Sequence, residues 1–75
     1  MALRYFFTIR GHLFLSPDNH GVLLPNDDSA RAHAMQMIGG LMQDDYFRGR
    51  GFHVDVSDEA GRSLFVVPFN RQRLH

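Results

Sequence analysis

The chain has 75 residues, no cysteine, no tryptophan and a net charge of zero. A second core would need roughly 50 more residues, so we expect a single small α+β domain over 1–75, with 70–75 a frayed tail. The missing cysteine excludes disulfides and thiolate zinc sites, and the neutral charge argues against a protein devoted to phosphate backbone.

All eight basic residues are Arg, and seven of the eight acids are Asp. Seven Phe and two Tyr are many for this length. A domain this small buries only about 60% of its unfolded surface, so the aromatic content must supply much of the core. No apolar run approaches the roughly 18 residues of a membrane span, and Met1–Arg4 lacks the pattern of a signal peptide. We therefore expect a soluble, cytoplasmic protein with no membrane association.

Leu3 to Arg10 is aromatic and β-branched and reads as the first strand. Gly11-His12 then suits a tight turn, with His12 to Ser16 returning as the second strand. This register places Arg10 opposite Leu13, Ile9 opposite Phe14 and Thr8 opposite Leu15. Ser16 to Gly21 is turn chemistry, and Val22-Leu23-Leu24 is a short extended piece before Pro25. Asn26 or Asp27 offers a helix N-cap. The helix is expected from about Asp27 to about Tyr46, with Ala30, Ala34, Met37, Ile38 and Leu41 on one stripe. Gly39-Gly40 weakens it, and a kink, close backbone packing or an early end could explain the pair. Gly49 is the expected left-handed cap.

Phe52 to Ser57 alternates as a half-buried strand. Asp58-Glu59-Ala60-Gly61 reads as a type I turn with a left-handed Gly, and Arg62 to Phe69 returns as the last strand. This register sets Val56 opposite Leu64, Val54 opposite Val66 and His53 opposite Val67. The fold class is α+β: a two-layer β-β-α-β-β arrangement, about four antiparallel strands with one helix on one face. The helix would cover Tyr5, Phe7, Ile9, Phe14, Phe52, Val54, Val56, Leu64 and Val66. The first and last strands, apolar on both sides, are the expected central ones.

Several of these residues also form a recognisable pattern. Arg4-Tyr5-Phe6-Phe7, Asp18 with Gly21, Leu24-Pro25, Ala30-Arg31 with Ala34, Asp58-Glu59-Ala60-Gly61 and Val67-Pro68-Phe69 resemble a domain-of-unknown-function family of short alphaproteobacterial, rhizobial-type proteins. The resemblance spans nearly the whole chain. It implies no established activity and supplies no catalytic residues. Asn26 stands where that family usually has Asp, its first turn more often carries Asp-Gly than Gly11-His12, and Gly39-Gly40 departs from its Ala-rich helix.

Five histidines invite a metal reading. His12, His20 and Asp18 are the nearest to a ligand set, but no tight His pair is present, and ordinary surface roles suffice. His33 reads as a residue at the solvent edge of the helix. Asp55, Asp58 and Glu59 gather near a hairpin tip, where solvation is the default and a turn explains Asp58. We expect no catalytic residue, no metal and no cofactor.

The uncovered sheet face is more informative. It is expected to carry Phe6, Leu13, Leu15, Phe65 and Val67, with Arg4, Thr8, Arg10, His53 and Asp55 among them. An apolar face of this kind marks an interaction surface, and homodimerisation or a protein partner is the first reading. The alternative is a single-stranded nucleic-acid platform using Arg4, Phe6, Arg10 and His53. Net neutrality and the aliphatic residues weigh against it. The plainest account is that twist and side-chain bulk cover most of the patch.

Overall fold

In the computed structural model, which describes residues 2–48 and 51–69, the longest strand organises the rest. This is β1 (Leu3–Gly11). Along one side it pairs antiparallel with β4 (His53–Ser57), which in turn pairs with β5 (Ser63–Pro68). Along its other side it pairs with two short strands, β2 (Phe14–Ser16) at its C-terminal end and β3 (Val22–Leu24) at its N-terminal end. Helix α1 (Asp27–Leu41) packs on one face. The architecture is the expected two-layer α+β, with five strands rather than four because Val22–Leu24 joins the sheet.

The helix begins where its chemistry dictates. The Asn26 side chain accepts a hydrogen bond from the Ser29 N–H at 2.9 Å, and Asp27 and Asp28 put negative charge in the first turn. Ala30, Ala34 and Ile38 form its buried stripe, with Met37 and Leu41 packed partly against the core. The helix ends at Leu41, not near Tyr46, and turns follow to Arg48. Close packing does not explain Gly39-Gly40, because a Cβ at either position meets nothing within 4 Å. Two poor helix formers beside the C-terminus account for the early end. The expected cap at Gly49 and the expected tail 70–75 lie outside the described residues.

Tyr5, Val54 and Val56 are fully buried, and Phe7, Phe52, Val67 and Phe69 nearly so. Each such side chain contributes about 1.5–3 kcal/mol on burial. The end of the core beyond the helix C-terminus is aromatic. Phe14, Phe47 and Phe69 surround Phe52 with ring centroids 5.0 to 5.8 Å apart, and Tyr46 joins them at 5.8 Å. The turns after α1 thus close the core with rings where helix is missing.

Two registers differ from the sequence expectation. In the first hairpin Gly11 opposes Phe14 and Arg10 opposes Leu15, so the turn is His12-Leu13 and Leu13 takes a positive φ of 59°. Gly11 stays in the strand because the Phe52 ring lies over its Cα, where a Cβ would collide. The slip is two residues and leaves every strand residue on its expected face.

The second difference is one residue and inverts β5. Val54 opposes Val67 and Val56 opposes Phe65, while Ser57 opposes Ser63. Leu64 is therefore an extra, bulged residue. Phe65 and Val67 turn to the helix side, where Arg31 sits 4.4 Å over the Phe65 ring, and Val66 turns outward. The expected placement of these three residues is corrected accordingly. So is the place of the last strand: β1 and β4 are central, and β5 is an edge.

Candidate functional site

The registers fix what the open face carries. Across one row lie Leu15, Arg10, His53 and Pro68, and across the next Thr8, Asp55 and Val66. Phe6 lies beside Ser57, and Arg4 beside Leu23 at the far end. The middle of the face is polar. Arg10 Nε lies 3.4 Å from Asp55 Oδ2, and the Ser63 hydroxyl donates to Asp55 Oδ1 at 2.6 Å. Exposed apolar side chains lie on its margins: Leu15 on β2, Leu23 on β3 and Val66 on β5.

Of the residues expected at an interface, Phe6 and Leu15 lie on this face. Leu13 does not; it sits at the turn tip, 92% exposed. Phe65 and Val67 lie on the helix side because of the bulge. Sequence reasoning missed Leu23 and Val66; in β5 an unbroken apolar run carries no alternation to reveal which residues face out. The four residues of the nucleic-acid alternative, Arg4, Phe6, Arg10 and His53, do share the open face. Their guanidinium groups are engaged, however. Arg4 donates to the His20 carbonyl at 2.9 Å and lies 3.8 Å from Glu59, and Arg10 pairs with Asp55.

Asp18 has a role the sequence did not show. Between the residues of β1 held by β2 and those held by β3, Phe7 donates its N–H to Asp18 Oδ2 at 3.0 Å. The other oxygen accepts from the N–H groups of His20 and Gly21 at 3.1 and 3.0 Å. One carboxylate thus replaces the missing strand between β2 and β3. Partial burial pushes the Asp18 carboxyl up, but the Gly21, Phe7 and His20 donors outweigh it and hold it below the usual carboxylate range. Gly21 has φ +73°, and a Cβ there would come within 2.9 Å of the Tyr5 carbonyl oxygen. Asp18 is spent on backbone, while His12 and His20 are exposed on the surface. Among the described residues, no three His, Asp or Glu side chains are grouped to hold a metal ion. His33 packs on Phe7 with ring centroids 4.7 Å apart.

The N-terminal end of α1, the start of β1 and the β4–β5 loop enclose an open cleft of about 290 Å³. Tyr5, Asp27, Asp58, Glu59 and Arg4 supply its polar lining. The Tyr5 hydroxyl donates to Asp27 Oδ1 at 2.8 Å. Burial, that hydrogen bond and the Asp27 charge all push its phenol up. Asp58 holds its own loop, accepting from the N–H groups of Ala60 and Arg62 at 3.0 Å, with Gly61 at the expected positive φ. Those bonds, the Arg62 backbone foremost, hold its carboxyl low.

A model of DUF6894, a domain of unknown function, matches residues 4–70. The chain belongs to the DUF6894 family. Comparison with curated proteins and with solved structures found no match. The DUF6894 span includes the open face, Asp18 and the cleft. No helix among the described residues is long and apolar enough to cross a membrane.

Proposed function

We propose that this DUF6894 chain is a non-enzymatic interaction module that self-associates through the β5 margin of its open sheet face. One observation supports this reading above the others. Val66 is 48% exposed on that margin, next on the open face to the exposed Pro68, and belongs to a strand with no charged residue from Ser63 to Pro68. Aliphatic side chains on an uncharged sheet margin are a contact surface rather than a solvated one. The polar middle of the face, with Arg10, Asp55 and Ser63 bound to one another, would form the wet rim of such a contact.

The test is the molar mass by light scattering across a concentration series, for the wild type and for Val66→Asp. A wild-type dimer that Val66→Asp weakens at least tenfold is the expected result. A wild type that is monomeric at millimolar concentration would remove the reading. The arginines that a single-strand platform would use are held by Asp55, Glu59 and the His20 carbonyl. No shift with mixed oligonucleotides at low salt is therefore expected.

A further inference from the structure

We infer that the cleft at the N-terminal end of α1 binds a primary alkylammonium group. This site is separate from the Val66 margin and stands independently of it. The cleft holds about 290 Å³, room for a short aliphatic chain and its charged end. Leu3, Ala60 and Leu64 supply an apolar wall. The polar groups that line it keep unused acceptors. Tyr5 is fully buried, and its hydroxyl gives its proton to Asp27 Oδ1. No described residue donates to the Tyr5 oxygen or to Asp27 Oδ2. A buried oxygen without a donor is costly, so this end of the cleft calls for one. Glu59 meets only the Arg4 guanidinium, 3.8 Å away and beyond hydrogen-bond reach. Asp58 is not free to join them, because its own loop and Arg62 use it.

Charge selects the class of ligand. Asp27, Asp58 and Glu59 line the cleft against one guanidinium, and Arg4 already donates to the His20 carbonyl. The balance favours a cation. The positive end of the α1 dipole does not reverse it, because Asn26 accepts from the Ser29 N–H, and Asp27 and Asp28 charge the first turn. Among the described residues, no three His, Asp or Glu side chains are grouped to hold a metal ion, so a bare divalent ion does not fit. An ammonium does. It carries three donors and no acceptor on one nitrogen, which matches the Tyr5 oxygen, Asp27 Oδ2 and Glu59. A guanidinium seeks both oxygens of one carboxylate, and Tyr5 already engages one of Asp27's. The alkyl chain then lies on Leu3, Ala60 and Leu64 and takes their apolar surface out of water. A second copy has no side chain to supply the group, since the chain contains no Lys.

Titration of the intact chain with n-butylamine at neutral pH, followed by amide chemical shifts, tests the site. Saturable shifts at Leu3, Ala60 and Leu64 are expected, with none from butyrate or butanol at the same concentration. Glu59→Gln, in the exposed loop, and Tyr5→Phe should each weaken binding about tenfold, the loss of one hydrogen bond to a charged group. Asp45→Asn, outside the cleft, should leave it unchanged. Nα-acetyl-lysine amide is the second probe. Tighter binding than butylamine assigns the ammonium to a partner's lysine and weaker binding assigns it to a free amine, and either supports the site. Shifts that do not saturate, butanol that binds as well as butylamine, or Glu59→Gln that binds like the wild type would overturn it. None of these results bears on the mass measured by light scattering, so the site and the self-association reading fail separately.

Discussion

Replacing Asp18 with alanine removes the carboxylate that accepts from Phe7, His20 and Gly21. The Phe7 and Gly21 bonds are partly buried, and the His20 bond is exposed. A hydrogen bond to a charged group contributes about 1.5–3 kcal/mol, and an exposed one less. Because all three end on one carboxylate they do not add in full, and the expected loss is about 2–4 kcal/mol. A domain of this length has about 4–11 kcal/mol in total. Asp18→Ala should therefore lower Tm by about 10–25 °C. Asp18→Asn keeps one acceptor but aims an NH₂ group at backbone donors, so it should recover only part of the loss. Urea titrations followed by far-UV circular dichroism measure both.

The pH dependence adds a second check. The Asp18 carboxyl is held below its ordinary value, so the unfolded chain binds the proton more readily. Its contribution is complete above the unfolded pKa and is lost as pH falls through the folded one. The gap between wild type and Asp18→Ala should accordingly narrow on acidification. A loss below about 0.5 kcal/mol in Asp18→Ala, or a gap that stays constant with pH, would refute the claim that one carboxylate joins β2 to β3.

Other substitutions probe separate parts of the account. Gly39→Ala and Gly40→Ala should each raise stability by about 0.5–1 kcal/mol in urea titrations, since both sites are helical and open. Gly11→Ala should lower it by about 1–3 kcal/mol, because its Cβ meets the buried Phe52 ring. The Tyr5 phenol is raised, so its contribution is present below the ordinary tyrosine range and lost as pH rises through the folded value. Tyr5→Phe should flatten that alkaline limb in thermal melts.

Much of the fold can be read along the chain, and the limits have physical causes. The aromatic and β-branched run of β1, the Asn26 cap and the Asp58 to Gly61 loop each carry local chemistry that names their structure. The face of β5 is not local. Leu64-Phe65-Val66-Val67 is apolar throughout, so the bulge that sets its register leaves no trace in the pattern. Phe47 follows no helical or strand period and enters the core only through the rings that gather on Phe52. Asp18 sits in a stretch that reads as a turn, and its bond to Phe7 spans eleven positions. For the candidate site, Phe6 and Leu15 were legible because β1 alternates and the hairpin slip was even. Val66 was assigned to the wrong side by a shift of one.

The measurement that bears most directly on self-association is the molar mass of intact wild-type chain by light scattering as its concentration rises, read against Val66→Asp. The account predicts a mass that climbs from one chain to two, and a climb at least tenfold weaker in Val66→Asp. A mass that stays at one chain up to millimolar concentration, or a dimer that Val66→Asp leaves intact, would contradict it.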